Sequence, residues 1–216
     1  MTAQSIETIA DIVIPDTPLV REITEYICDA EDDLLFDHSR RVFLFGALQG
    51  RRRGVQANLE LLYAGAMFHD LGLTARYRAS QLRFEVDSAN AARQFLLERG
   101  VDPADADKVW LSIALHTTPG IPEFLAPEVA LVTAGVETDV LGIDRDELSP
   151  QALAAVTAAH PRPDFKQRIL AAFNDGMKHR PHSTFGTVND DVLAHFDPEF
   201  VRENFVETIL NNTWPE

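Results

Sequence analysis

Apolar residues recur three and four positions apart along most of the chain, the spacing that gathers them on one face of a helix. In "PLVREITEYICDA", Leu19, Ile23, Tyr26 and Ile27 share such a face. "HSRRVFLFGALQGRRRG" predicts a second, largely buried helix ending in arginines and Gly54. "VQANLELLYAGAMFHD" predicts a third, closed by a turn at Leu71-Gly72 with Gly72 as its C-cap. "DSANAARQFLLERG" opens on the cap-like Asp87 and Ser88 and stops at Gly100. "DPADADKVWLSIALH" has Asp102 as cap and Pro103 in its first turn, and "TTPG" halts it. "APEVALVTAGVETDVLG", "SPQALAAVTAAHP", "DFKQRILAAFNDGMKH", "NDDVLAHF" and "PEFVRENFVETILNN" complete the set. No strand alternation, repeat or low-complexity linker interrupts them, and the turn-rich stretches 117–127 and 180–189 read as loops between helices. The expected fold is all-α: a single domain of about ten helices over residues 1–216, with a core at about 34–143 and helices over 149–212 packed on it.

Composition narrows the partners. The 216 residues carry 34 acidic and 19 basic side chains, a formal net charge of −15. Nucleic-acid phosphates and anionic membranes demand concentrated Lys and Arg, so neither is an expected partner. The one basic run, "GRRRG" at 50–54, reads as a solvated helix end. A single cysteine, Cys28, excludes an intramolecular disulfide framework and suits a reducing cytoplasm. The first residues lack a basic start followed by an apolar core, and no apolar run reaches the roughly 20 residues that span a membrane. The expectation is a cytoplasmic protein acting on a small molecule. The first helix and "DAEDDLLFD" could serve a homo-oligomer contact, although ordinary surface is the plainer reading.

Four residues stand out against the apolar background. His38 lies at the start of the second helix, His69 and Asp70 close the third, and Asp139 sits within "TAGVETDVLG". Two imidazoles and two carboxylates suit Zn²⁺, Fe²⁺ or Mn²⁺. Neighbouring helical residues point about 100° apart, so His69 and Asp70 can share an ion only where the helix ends or distorts. Each residue also has a plain structural reading. His38 could bond Asp37 or Ser39, Asp70 could satisfy backbone donors of the next turn, and Asp139 could lie on an exposed face beside Glu137.

Taken together, "FDHSRRV", "AGAMFHDLG" and "VALVTAGVETDVLG" resemble the HD-domain superfamily of metal-dependent hydrolases, an all-helical family named for its adjacent His-Asp pair. The resemblance implies that His38, His69, Asp70 and Asp139 hold one divalent metal, with zinc first and iron or manganese as alternatives. "RFEVDSANAA", "ALHTTPGI" and "PEVALVTAGVETDVLG" further resemble the cyanamide-hydratase-like branch, whose hydratases use zinc to add water to a nitrile. Some HD proteins bind a second metal through two more histidines between the pair and the last Asp. Here His116 is the only histidine between 70 and 139, which argues against a dinuclear centre of that kind.

His116 ends the apolar helix "VWLSIALH". It is either a helix-end imidazole bonded to a carbonyl or, with Asp70, a catalytic proton carrier beside the metal. Thr117, Thr118, Glu85 and Phe185 are candidate substrate contacts, with Glu85 and Asp87 also readable as first-turn charge and helix cap. Gly135 could leave room beside the metal or admit a close helix. The segment 178–190 is a lid candidate or a surface connection. The expected activity is a metal-dependent hydrolase or hydratase on a small substrate such as a nitrile. Its rivals are a phosphohydrolase that would recruit Arg40, Arg41, Arg76, Arg78 or Arg83, and a metal-binding HD scaffold without turnover.

Overall fold

The computed structural model describes residues 7–214. Its architecture is all-α apart from one small antiparallel hairpin, β1 (Thr8–Ile9) and β2 (Ile12–Val13). That hairpin departs from the expectation of no strands. Each strand has two residues, too short for alternation to show, and the turn takes Ala10 and Asp11 into positive φ.

Ten helices follow among the described residues. They are α1 (Pro18–Ala30), α2 (Asp33–Arg53), α3 (Leu59–Phe68), α4 (Phe84–Glu98), α5 (Pro103–Ala114), α6 (Pro127–Val136), α7 (Pro150–Ala159), α8 (Phe165–Met177), α9 (Asn189–Phe196) and α10 (Phe205–Leu210). Local chemistry fixes several ends. Thr17, Asp32, Asn58, Asp102 and Ser149 each accept a backbone N–H of the first turn that follows them. Gly54, at φ 68°, closes α2 in the left-handed conformation.

Helix α2 is the centre of the molecule and is buried on nearly every side. Its polar side chains His38, Arg40, Arg41 and Gln49 therefore lie inside the protein, where each needs a partner. Helix α6 crosses it closely because two glycines leave out a side chain. A Cβ on Gly135 would sit 2.2 Å from the Val42 carbonyl oxygen, and one on Gly46 would sit 2.5 Å from that of Leu131. Gly135 thus admits a close helix. Helices α3, α4 and α5 pack around this pair, with Phe43, Tyr63, Phe68, Ile113 and Val132 fully enclosed.

Two expected helix ends differ. Helix α4 begins at Phe84, so Asp87 is an interior residue whose carboxylate pairs with Arg180 and accepts from Ser80 at 2.9 Å. Gly72 lies within a 3₁₀ turn (Leu71–Leu73) and does not cap α3. Its missing side chain lets Phe84 approach, since a Cβ there would meet the Phe84 carbonyl oxygen at 2.2 Å.

A second apolar cluster joins the C-terminal helices to this frame. Leu34 and Leu35 of α2, Leu73 and Phe84 meet Phe165, Ile169 and Met177 of α8 and Leu193 of α9. From Val201 to Trp214 every residue is exposed, so α10 lies on the surface and does not pack on the core. No helix among the described residues is long and apolar enough to cross a membrane.

Candidate metal centre

The end of α3 shows how two adjacent residues face one point. Helix α3 stops at Phe68; His69 keeps helical torsions at φ −60° and ψ −33°. Asp70 then swings to φ −104° and ψ 3°, the bridge region between helix and strand. The 3₁₀ turn at Leu71–Leu73 follows immediately. This break removes the angular separation that a continuing helix would impose.

His38, from the first turns of α2, meets the pair. One donor atom from each of His38, His69 and Asp70 lies within 4.8 Å of the others, close enough to hold one ion. His69 Nε2 is 3.1 Å from His38 Nε2 and 3.3 Å from Asp70 Oδ2, while His38 Nε2 is 3.6 Å from that same oxygen. All three side chains are sealed from solvent.

The outer nitrogens determine what the inner ones present. His69 Nδ1 donates to the Ala66 carbonyl at 2.7 Å, and His38 Nδ1 donates to Asp139 Oδ2 at 2.7 Å. In the neutral rings, both Nε2 atoms are then lone pairs facing each other and a carboxylate. His116 repeats the pattern: Nδ1 donates to the Ile113 carbonyl at 2.7 Å, leaving Nε2 3.6 Å from Asp70 Oδ1. Asp70 Oδ1 and Oδ2 and His116 Nε2 are buried without a hydrogen-bond partner. A buried point ringed by acceptors alone is costly unless a cation occupies it, and the donor set of two imidazoles and a carboxylate suits a divalent transition metal.

The protonation balance reflects the same convergence. Burial lowers the His38 pKa despite the neighbouring Asp139. Burial also opposes charge on His69, but Asp70 and the Ala66 carbonyl raise its pKa overall. Asp70, although burial disfavours its charge, is held well below the usual carboxylate range by His69, His116 and His38. The carboxylate is ionised and the cluster is poised for positive charge.

Asp139 lies beside His38 and outside the three-residue cluster. Helix α6 runs into a π-helical turn (Glu137–Leu141), ended by Gly142 at φ 74°. The wider turn carries Asp139 to the outer edge of His38, opposite Asp70 and His69. There Arg41 grips it with a two-point fork, Nε to Oδ1 and Nη2 to Oδ2, both at 2.9 Å. Arg162 Nε adds a second cation 2.9 Å from Oδ1, and Arg162 Nη2 donates to the Asp139 carbonyl at 2.5 Å. His38 and Arg41 outweigh burial and depress the Asp139 pKa strongly.

A model of the HD-domain family, described as HD domain, matches residues 35–157. The match spans more than half of the chain and includes His38, the adjacent His69-Asp70 pair and Asp139. This chain belongs to the HD-domain family. No curated protein matches it. HD-domain proteins are in general metal-dependent hydrolases, and the His38–His69–Asp70 cluster stands where the name-giving pair of this HD domain predicts it.

The other candidate residues divide into two groups. Glu85, fully buried in this HD domain, accepts from Arg83 Nη2 at 3.0 Å, Thr117 Oγ1 at 2.5 Å and Asn189 Nδ2 at 2.8 Å. It ties Thr117, the neighbour of His116, to α4 and α9. Burial opposes its charge, yet Arg83 and His116 lower its pKa. Thr118 is half-buried and makes no side-chain hydrogen bond among the described residues. Phe185 lies in a surface cleft with Phe200 and Asp190, away from the cluster. The segment 178–190 is anchored to α4 through Arg180–Asp87 and Asn189–Glu85.

Three contributors were missed or misread from sequence. The Phe165 ring lies tilted against His38, with centroids 5.3 Å apart, but reads in sequence as one more apolar helical position. Arg41 shares the His38 face by spacing, yet spacing alone could not assign it to Asp139 rather than to a substrate. Glu31, at the end of α1, is buried with both carboxylate oxygens unpartnered, and its pKa is raised well above the usual value, first by burial and then by Asp70. In sequence it is one acid among the several of "DAEDD".

Proposed function

We propose that this HD-domain protein is a metal-dependent hydrolase or hydratase that adds water to a small, neutral substrate, of which a nitrile such as cyanamide is the leading candidate. His38, His69 and Asp70 would hold one divalent ion, with zinc favoured and iron or manganese compatible with the same donors. Asp139 then acts through His38, fixing its ring and tautomer in the manner of a carboxylate behind a metal-bound histidine. Three protein ligands would leave the fourth position of a tetrahedral zinc site open to water. A bound ion at such a site lowers the pKa of water toward neutrality and polarises the group under attack.

The chain's own groups handle the proton. His116 Nε2 carries a free lone pair in a sealed position, and its Nδ1–H is committed to Ile113, so it can accept a proton only at Nε2. Asp70 Oδ1 lies next to it and stabilises the imidazolium formed. His116 can then return the proton to the substrate nitrogen, a general acid–base cycle. Glu85 sets the Thr117 side of this wall through its bond to the hydroxyl.

One observation supports the choice of a neutral substrate: Arg40, Arg41, Arg83 and Arg180 are committed to the protein's own groups. Arg41 holds Asp139, Arg83 holds Glu85 and Arg180 holds Asp87. Arg40 holds Glu7 and Tyr63. A phosphoryl group would need cations beyond the metal, and none of these four is free to face it. The sealed position also favours a small molecule over a nucleotide.

A panel of cyanamide, simple aliphatic nitriles, p-nitrophenyl phosphate and nucleoside monophosphates separates the readings. The proposal expects urea or amide release that disappears in His116→Gln, and no phosphate release. Phosphate release without nitrile turnover would move the protein to the phosphohydrolase class. No turnover of any kind with a full complement of metal would favour a non-enzymatic scaffold.

A further inference from the structure

A cavity of about 720 Å³ lies between the π-helical turn that carries Asp139, α7 and the start of α8. None of His38, His69, Asp70 and His116 lines it. Its volume falls within the range of small-molecule sites, roughly 300–1,000 Å³.

The charges on its wall do not cancel. Arg145, Arg162 and Lys166 face Asp139 and Asp146. Arg145 and Asp146 pair with each other at 3.0 Å. Asp139 is already gripped at both oxygens by the buried Arg41, so Arg162 is a second cation on a single carboxylate. Lys166 makes no ion pair among the described residues. Two positive charges are thus in excess, in a protein whose net charge is −15. Arg162 is also held in place: its guanidinium lies 4.5 Å from the Phe165 ring centroid, and Nη2 bonds the Asp139 carbonyl. Its Nε faces Asp139 Oδ1 at 2.9 Å, and Nη1 makes no hydrogen bond among the described residues. A planar, pre-oriented guanidinium beside a free ammonium is an anion receptor. Phe45, Leu148 and Leu153 add an apolar part to the lining.

We propose that this cavity binds a small organic anion, a carboxylate or phosphate joined to an apolar body. The charged end meets Arg162 and Lys166, and the body lies against Phe45, Leu148 and Leu153. The site is separate from the metal centre and does not depend on which reaction that centre performs. Because Arg162 also holds Asp139, the anion and the carboxylate behind His38 share one guanidinium.

Phenylphosphonate is a suitable probe, since it combines a dianion with an aromatic body and has no ester bond to hydrolyse; benzyl alcohol is its neutral counterpart. Calorimetric titration of the metal-loaded protein should show one saturable site for phenylphosphonate and none for benzyl alcohol. Lys166→Glu, a change at an exposed residue that leaves the fold intact, should weaken binding at least tenfold. Asp70→Ala should leave it within a factor of two. The absence of saturable binding would overturn the proposal, as would equal binding of benzyl alcohol. Binding that survives Lys166→Glu but is lost in Asp70→Ala would place the anion on the metal instead.

Discussion

Asp139 Oδ2 lies 2.7 Å from His38 Nδ1, on the opposite edge of the imidazole from Asp70 and His69. The carboxylate therefore orients His38 and fixes which nitrogen carries its proton. A positioning role and a ligand role give different mutants. Asp139→Asn keeps an acceptor for His38 and should weaken metal affinity about 10–100-fold, measured by chelator competition. Asp139→Ala also strands Arg41 in the interior, which should cost about 3–5 kcal/mol of stability in urea unfolding.

His116 separates chemistry from metal binding. Its Nε2 points at Asp70 but lies outside the three-residue cluster. His116→Gln should retain the metal and lower kcat about 10²–10⁴-fold, the usual contribution of a positioned acid–base group. Parallel metal analysis and turnover assays on the same preparation check this; loss of the metal would make His116 a ligand.

The crossing of α2 and α6 depends on a missing side chain. A Cβ on Gly135 would lie 2.2 Å from the Val42 carbonyl oxygen and 3.1 Å from the Gly46 nitrogen, all backbone atoms that cannot rotate away. Gly135→Ala should destabilise by at least about 1–3 kcal/mol. Gly54→Asn, at φ 68° with nothing within 4 Å, should cost about 1 kcal/mol or less. Urea midpoints of the two variants test the contrast.

Glu31 gives a pH signature. Its folded pKa is raised, so the native state holds this proton more tightly than the unfolded chain does. The stability linked to it is complete below the unfolded pKa, about 4.3, and is lost as pH rises through the folded value. Glu31→Gln should therefore be more stable than the wild type at neutral pH, with the gap closing below about pH 4. Urea unfolding of both proteins across that range measures it.

Periodicity made the helices legible because most bury one apolar stripe: α1 and α9 have the ends that spacing and caps imply. The exceptions have local causes. The start of α4 was displaced to Phe84 because Asp87, which looks like a cap, is instead the partner of the distant Arg180. Gly72 looked like a helix stop, but close approach of Phe84 explains it. Within the site, His38, His69 and Asp70 were readable as a group because their motifs follow the family order. The partner of Asp139 was not, because Arg41 and Arg162 lie 98 and 23 residues from it and only the fold joins them. Glu31 and Phe165 reach the centre from opposite ends of the chain, and neither carries a local pattern that marks it.

Metal content tests the central claim most directly. Elemental analysis of tag-free protein should find about one divalent ion per chain in the wild type. Asp70→Ala should carry almost none, and Asp139→Asn should refill to one equivalent when metal is supplied in excess. A wild-type protein that neither holds nor takes up a divalent ion would contradict the metal centre itself. An Asp139→Asn protein as empty as Asp70→Ala would contradict the assignment of Asp139 behind His38.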